Sequence, residues 1–336
     1  MSLGIVTRKI DRGLPHRQTL IDGVPVTIRP GNVYYVDGDL TGGDGKSWES
    51  AFATIGAALT QAAIDIVTSG LGTETYIYIK ARKMAAGATD PVSYAETITI
   101  PATLAKTHLI GVGDGAAQGN LPQIKKGSGS TALLTINAPG CTIDGLGFNG
   151  VSATGGGILL VDNVAGTATA FGTVIQNCHF KNCVGSSATN GTLGGAIQVT
   201  GGAWQIVIRN NHFYKNLADV VLLDKLVSQP QDWVIEGNIF SGPAASVDVN
   251  LMLSGGGGGA GVNGVVIRDN VFPCFPAIGS GTNHTIMVLS TSVGIISGNR
   301  FGCTGKTFKV GGDVVVPATV FLAGNWAEDA LLGRSA

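Results

Sequence analysis

One short pattern of hydrophobic and polar positions recurs seven times between residues 143 and 327. An aliphatic residue is followed by small or polar residues and then, five positions later, by an aromatic residue. The last copy, Leu322 to Trp326, places its aromatic residue one position early. Successive copies start 32, 33, 27, 32, 29 and 26 residues apart. Self-similarity with a period of about 20–50 residues is typical of solenoids and repeat arrays.

Within each copy the residue types predict a strand, a tight turn and a second strand. A β-branched or aromatic residue two places before the aliphatic one gives the alternation of a half-buried strand. The Gly, Asn or Asp residues that follow favour a turn. Repeats of this length are too short for propeller blades, which take about 40–50 residues. The pattern therefore predicts an all-β fold, a right-handed parallel β-helix, over residues 71–327.

Stacking of the coils predicts two internal columns of side chains. An aromatic column comprises Phe148, Phe180, Phe213, Phe240, Phe272 and Phe301. An asparagine column, in which amides can bond from coil to coil, comprises Asn211, Asn238, Asn270, Asn299 and Asn325. Cys178 occupies the equivalent position in an earlier coil.

A different pattern precedes the repeats and predicts a cap. After the strand-like run at Val33, residues 47–64 place Phe52, Ile55 and Leu59 on one helical face. Ser47 and Ser50 offer N-caps. Since an open solenoid end exposes an unpaired edge, we expect residues 33–70 to form a strand and a helix that covers the first coil. A tail at 328–336 completes the chain.

The first 32 residues lack the coil pattern and are basic. Residues 1–30 contain five Lys or Arg residues and only two Asp residues. One interpretation is an extended arm lying against the solenoid. The other is a docking arm that fixes the chain to a larger assembly, with these candidate binding residues: Arg8, Lys9, Arg12 and Arg17.

Composition narrows the possible functions. The formal net charge of −1 argues against general nucleic-acid binding, and no run of about 20 apolar residues predicts a membrane span. The N-terminus lacks the apolar core of a signal peptide. Five cysteines, an odd number, favour reduced thiols in a protein folded in a cytoplasm.

The run from Val33 to Leu59, followed by the strand-like segments 76–80, 96–100 and 108–113, resembles the N-terminal part of a known family. It is similar to the right-handed β-helix proteins of the pectate-lyase-like superfamily, in particular those encoded by tailed bacteriophages. The resemblance covers residues 33–327. It implies a fold, and for the enzymes of the superfamily it implies cleavage of acidic polysaccharides by carboxylate clusters, Ca²⁺ with a basic residue, or paired acids.

The catalytic patterns of those enzymes, such as Gly-His-Gly and Arg-x-Lys, do not occur in this chain. If the chain is an enzyme, the candidate catalytic residues, which neighbouring coils would bring to one face, are Asp219, Asp224, Lys225 and Asp248. The alternative interpretation of that group is a solvated polar ladder. We predict neither a cofactor nor a bound metal. The Gly/Asp loop from Asp37 to Lys46 could bind Ca²⁺ through Asp37, Asp39 and Asp44, but it does not match an EF-hand loop and is interpreted as a polar turn.

His179 and His212 take the same outward position in successive coils. Stacked histidines are either a metal or acid/base pair or a surface ladder. The next positions, Ile239, Val271 and Arg300, cannot continue a site. The sequence therefore favours an exposed ladder.

Three functions remain for comparison. The first is a non-catalytic phage virion protein, a capsid decoration (cement) protein or a head fibre, with the major capsid protein and further copies in a trimer as partners. It involves neither nucleic acid nor a membrane as a partner. The second is a tailspike-type polysaccharide depolymerase, a lyase or a hydrolase. The third, a glycan-binding module, needs exposed aromatic residues, whereas the four Trp and six Tyr residues mostly fall at positions predicted to face inward or belong to the cap.

Overall fold

The fold follows from the repeated strand–turn–strand pattern. A computed structural model describes residues 7–9, 15–17, 19–21, 24–26, 31–69, 74–88, 90–113, 120–125, 131–150, 156–162, 169–183, 195–223, 228–241, 249–254, 261–273, 286–288, 291–302, 314–327 and 330–332. Within these ranges the strands form three long sheets and two short antiparallel pairs. The predicted right-handed parallel β-helix is confirmed.

From the strand that begins at Thr107 to the strand that ends at Val315, each coil contributes one strand to each of the three sheets, in the order sheet 1, sheet 2, sheet 3. The coils that begin at Asn32 and Thr75 have no described strand in sheet 2. The described strands of sheet 1 are Asn32–Val36, Thr75–Lys80, Thr107–Val112, Thr142–Asp144, Val174–Gln176, Val207–Arg209, Val234–Glu236, Asn263–Arg268, Val293–Ser297 and Val320–Ala323. All neighbours in this sheet are parallel.

Sheets 2 and 3 are built in the same way. The described strands of sheet 2 are Gln123–Lys125, Gly147–Asn149, His179–Lys181, His212–Tyr214, Ile239–Ser241, Val271–Phe272, Arg300–Phe301, Asn325–Ala327 and an antiparallel final strand Ala330–Leu332. Those of sheet 3 are Ile98–Ile100, Leu134–Ile136, Ile158–Leu160, Ile197–Thr200, Ala218–Leu223, Val249–Ser254, Ile286–Val288 and Val314–Val315.

The turn between sheets 1 and 2 explains why the repeat carries Gly, Asn or Asp. The first turn residue has a left-handed φ of 55–66° in every described coil from Gly145 onward, at these positions: Gly145, Asn177, Asn210, Gly237, Asp269, Gly298 and Gly324. Only Gly, and to a lesser degree Asn and Asp, adopts that conformation readily. The variation among these three residue types therefore preserves one backbone geometry.

The second turn residue forms the asparagine column. The backbone N–H of Asn211 and its Nδ2 both donate to Oδ1 of Asn238, at 2.9 and 3.0 Å. Nδ2 of Asn238 donates in turn to Oδ1 of Asn270 and to the carbonyl of Ile208. The same bonds continue to Asn325, so these buried amides are satisfied from coil to coil, as buried polar groups require.

The aromatic residues of sheet 2 stack inside the solenoid. Ring centroids of successive members from Phe148 to Phe301 lie 4.8–5.0 Å apart with interplanar angles of 7–12°. This spacing equals the distance between hydrogen-bonded strands. The backbone ladder therefore sets the ring stacking, and the rings fill the core alongside aliphatic residues of sheets 1 and 3.

The capping helix spans Ile55–Ser69 and begins later than expected. Ile55 and Leu59 of the helix pack with the first strands of the solenoid. Its N-terminal amides are bound by Glu96, whose carboxylate accepts from the N–H groups of Ile55 at 2.9 Å and of Gly56 at 2.8 Å. Thr54 Oγ1 accepts a further N–H, that of Ala57.

The serines expected to cap this helix have other partners. Ser50 donates from its hydroxyl to Asp44 and from its backbone N–H to Ser47 Oγ. The prediction that Ser47 or Ser50 is the N-cap is wrong, because residues 45–50 form bends and a turn, Phe52 bridges to Val36, and the helix begins only at Ile55.

The N-terminal segment forms two antiparallel strand pairs, Thr7–Lys9 with Pro15–Arg17 and Thr19–Ile21 with Val24–Val26. Among the described strands, neither pair joins the three sheets of the solenoid. Within the described ranges, no helix has the length and apolar character needed to span a bilayer.

Candidate functional site

Of the four candidate catalytic residues, only Asp219 falls within the described ranges. Its side chain is buried and its Oδ1 accepts from Nδ2 of Asn216 at 2.9 Å. A solvated ladder is therefore the wrong description at this position. Asp224, Lys225 and Asp248 lie outside the described residues.

Three of the four candidate docking residues fall within the described ranges. Arg8 and Lys9 lie in the first strand of the N-terminal segment, and Arg17 ends its partner. Arg12 lies outside the described residues. The three described residues are thus brought onto one two-stranded ribbon.

The Gly/Asp loop has its carboxylates committed to protein partners. Asp37 pairs with Lys80 at 2.7 Å and Asp39 with Arg82 at 3.1 Å. Asp44 accepts from the Ser50 hydroxyl. Within the described ranges, no group of three or more His, Cys, Asp or Glu residues is placed to hold a metal ion.

The outer face of sheet 2 carries a buried polar cluster that the sequence did not reveal. Of the first four strands of this sheet, the first contributes Gln123, the third His179 and Lys181, and the fourth His212, each pointing away from the aromatic column, while the second has Gly147 in this column. Gln123 and His179 have no exposed area, and Lys181 is almost completely buried. The expectation that His179 belongs to an exposed ladder is wrong.

A segment from an earlier part of the chain contacts this face through Asp90. We call residues 82–94 the covering segment; its residue 89 lies outside the described ranges. Asp90 forms an ion pair with Lys181, two coils beyond the edge of sheet 2. Tyr94 bonds to the edge strand through its N–H, which donates to the carbonyl of Gln123, and its C=O, which accepts from Lys125.

Several buried polar atoms of this cluster and of Asp90 have no hydrogen-bond partner. These are both side-chain atoms of Gln123, both ring nitrogens of His179 and Oδ1 of Asp90. An unpaired buried polar group costs about 1–3 kcal/mol, so the covered arrangement is expensive. Clusters of such groups in folded proteins often mark functional positions.

Burial decides the protonation of the two histidines. Desolvation, with smaller contributions from His212 and Lys181, lowers the pKa of His179 from 6.5 to about 4, against an opposing effect of Asp90. Burial also lowers the pKa of His212. The two rings lie 5.0 Å apart, centroid to centroid, and His212 Nε2 is 3.0 Å from Ser241 Oγ. Both imidazoles are therefore neutral at pH 7.

The sequence could not reveal this cluster because its cover is remote in the chain. Asp90 and Lys181 are 91 residues apart, and the covering segment has no repeat pattern. The one available signal was the pair His179 and His212 at equivalent positions, which predicts stacking but not burial.

Aromatic residues are also exposed at the surface. Phe171 and Trp204 stack at 5.0 Å with an interplanar angle of 9°, and Trp204 is 41% exposed. Trp326 is 56% exposed. These two tryptophans are exceptions to the expectation that the Trp and Tyr residues mostly face inward or belong to the cap, whereas Trp233 is fully buried.

The described cysteines are buried free thiols. Burial raises the pKa of Cys141 to about 11 and those of Cys178 and Cys183 to about 12. These thiols remain protonated at neutral pH and are poor nucleophiles. Cys178 and Cys183 sit at corners where their N–H groups donate to Asn211 and Asn216.

No family model matches the chain. No curated protein matches it either.

Solved structures with a similar fold include Escherichia coli ybhc, with a TM-score of 0.48 and 11% identity over 96% of this chain and 90% of that one. A pectate lyase variant from Xanthomonas campestris has a TM-score of 0.47 and 12% identity over 80% and 76% of the two chains. The Dettilon tailspike protein has a TM-score of 0.31 and 11% identity over 88% and 62%. At these values the likeness is one of β-helix architecture.

Proposed function

We propose that this chain is a non-catalytic structural protein of a bacteriophage virion, a capsid decoration (cement) protein or a head fibre. In this role the solenoid is a rigid body and residues 1–32 make the attachment. The proposed partners are the major capsid protein and further copies of the chain. The proposed location is the virion, after synthesis in the host cytoplasm.

The observation that carries this proposal is the division between the solenoid and its N-terminal segment. The two short antiparallel pairs between Thr7 and Val26 have their own hydrogen bonds and join none of the three long sheets. Arg8, Lys9 and Arg17 lie on one of these pairs. A basic ribbon of this kind would be drawn to an acidic shell surface, and such ion pairs weaken as salt is added.

The solenoid supports the proposal as a rigid body. The asparagine bonds and the aromatic stacking run through successive coils without interruption from Asn211 and Phe148 onward. Strands held by such contacts are expected to open locally only at a free energy close to that of global unfolding. A body with those properties resists proteolysis while it is displayed on a particle.

A second candidate is a tailspike-type polysaccharide depolymerase, and the exposed aromatic pair favours it. Phe171 and Trp204 present parallel rings at the corner before sheet 1, and ligand sites are commonly lined by aromatic side chains. Asp162, whose carboxylate accepts from the Ser228 hydroxyl at 2.6 Å, belongs to the same corner. This surface is the place to look for glycan binding.

Particle binding and polysaccharide turnover distinguish the two candidates. Virus particles from the organism that encodes the chain are labelled with antibody and located by negative-stain microscopy. We expect the label on the head. We also expect full-length protein to rebind stripped particles, and protein lacking residues 1–30 to remain folded by circular dichroism without binding.

Charge variants sharpen the binding test. Replacing Arg8, Lys9 and Arg17 by Gln should weaken particle binding and its salt dependence. The matched control replaces Arg209, Arg268 and Arg300 of the solenoid by Gln and should bind normally. Equal binding by all forms would refute attachment through the N-terminal segment.

The depolymerase candidate is tested with pectate and alginate, with and without Ca²⁺. We expect no turnover. Cleavage that is lost on Trp204→Ala, Asp219→Asn or Asp248→Asn would replace the structural proposal with the enzymatic one.

A further inference from the structure

The covering segment closes a surface that is unusually polar for a protein interior. On the outer face of sheet 2, Gln123 and His179 together have four side-chain atoms with no hydrogen-bond partner. Water would satisfy all four if the segment moved away. The closed arrangement therefore keeps a free-energy cost that opening would remove.

The attachment of the segment is strong at its base and electrostatic near its tip. At the base, Tyr94 is held by Gln123, Lys125 and the carbonyl of Lys80, which accepts from the Tyr94 hydroxyl at 2.7 Å. Nearer the tip, the ion pair of Asp90 with Lys181 reaches the third strand of sheet 2. The segment between Lys83 and Val92 is closed on itself by a backbone bond of 3.2 Å.

We infer that residues 82–94 form an acid-opened lid over the outer face of sheet 2, with His179 as the proton-sensitive group. Opening exposes Gln123, His179 and Lys181 as a polar surface. In the open form the lid has left both Lys181 and the edge strand of sheet 2, so the N–H of Tyr94 is free while the strands of the solenoid stay paired.

The surroundings of His179 explain why a proton there would open the lid. The charged and titratable groups that face its ring are Lys181 on its own strand, His212 on the following strand and Asp90 on the lid. The preceding strand contributes Gly147 at this position. An imidazolium at His179 would lie beside the positive charge of Lys181 and without contact with solvent, and the nearby carboxylate of Asp90 is already paired with Lys181.

The sign of the pH effect follows from the lowered pKa. His179 has a pKa of about 4 when covered, against an ordinary value of 6.5. The open form therefore binds the proton better, and the opening constant rises as the pH falls below 6.5. The rise is at most about tenfold per pH unit and levels off near the covered pKa.

Hydrogen–deuterium exchange of the full-length chain tests the inference. Exchange rates of lid peptides that contain Tyr94, whose N–H is bonded to Gln123 outside the lid, are measured at pH 7.5 and 4.5 and corrected for the intrinsic pH dependence. We expect the opening constant to rise about 100-fold. Peptides from sheet 1 strands should keep their protection.

A variant and its control identify the trigger. His179→Phe keeps a flat ring but cannot be protonated, and should reduce the acid response to less than about threefold, since the proposed proton-sensitive group is gone. His108→Phe is the control, because His108 is a half-buried histidine whose pKa is also lowered by burial, and it stacks on Tyr76 in sheet 1, away from the lid. That variant should respond to acid like the unmodified chain.

A second variant keeps the test decisive if His179→Phe does not fold. Asp90→Asn removes the lid's one carboxylate and with it the ion pair to Lys181, so the lid should already exchange faster at pH 7.5. The inference is overturned if lid exchange does not respond to acid, if His179→Phe responds like the unmodified chain, or if the sheets lose protection together with the lid. Unchanged exchange in Asp90→Asn would also overturn it.

Discussion

The two faces of sheet 2 are built from the same strands but follow different rules. On the inner face, Phe148 to Phe301 form an uninterrupted stack at one spacing. On the outer face, the equivalent column passes from Gln123 and Gly147 through two histidines to Ile239 and Arg300. The difference shows that the repeat fixes side chains that contact their own copies in neighbouring coils, whereas outward side chains depend on whatever covers them.

Burial along the outer column makes the same point. His179 is completely buried, while Ile239, two coils later in the same outward column, is 44% exposed. A polar residue is therefore inside and an apolar one outside, the reverse of the usual preference. The covering segment spans the first coils of the solenoid, where Asp90 meets Lys181.

The largest expected effect comes from truncating an inward aromatic side chain of sheet 2. Phe240 is fully buried in the aromatic column and Ile239, its neighbour, faces outward. Phe240→Ala should reduce the free energy of unfolding by about 3–5 kcal/mol, as for other buried aromatic truncations. Urea denaturation followed by circular dichroism provides the measurement.

The control for this pair is Ile239→Ala. Because the side chain is largely exposed, we expect a change within about 0.5 kcal/mol. Similar losses for the two variants would mean that the inner and outer faces have been assigned incorrectly.

The asparagine column provides the next test. Asn238→Leu removes the acceptor for the backbone N–H and Nδ2 of Asn211. Leaving a buried donor unpaired should lower the free energy of unfolding by about 1–3 kcal/mol. Asn210→Gly, at an exposed position with φ of 55° that glycine adopts readily, is the matched control and should be nearly neutral; a neutral Asn238→Leu would contradict the ladder.

Contacts between remote segments extend the comparison to the capping helix. Glu96→Gln weakens the bonds to the N–H groups of Ile55 and Gly56 and removes a negative charge from the helix N-terminus. A loss of about 1 kcal/mol is expected from capping and dipole effects. Thermal melting should register it, while Glu49→Gln, on the exposed loop before the helix, should leave the melting temperature unchanged.

The smallest effect is expected on the outer face of sheet 1. Arg268 donates to Glu236 at 2.6 and 2.8 Å, but its side chain is about half exposed. Exposed ion pairs contribute little because solvent and salt screen them. Arg268→Gln should leave the urea midpoint unchanged at low and high salt; a clear shift would show that outward columns also hold the coils in register.

The repeat was sufficient to predict the β-helix, because each coil pairs with near copies of itself. The turn residues from Gly145 to Gly324 also follow from the repeat, since one left-handed backbone position recurs in every coil. The start of the capping helix did not follow. Local serines predicted it near Ser47, whereas Glu96, some 40 residues away, provides the main cap.

The sequence by itself determined the architecture and the interior, namely the coil length, the aromatic stack and the asparagine ladder. These features depend on periodic side chains whose partners are the same residue types one coil away. Only the tertiary structure decided the burial of His179, the pairing of Asp90 with Lys181 and the exposure of Trp204. Those depend on non-repeating segments that cross several coils, and the period of a repeat contains no information about where such segments lie.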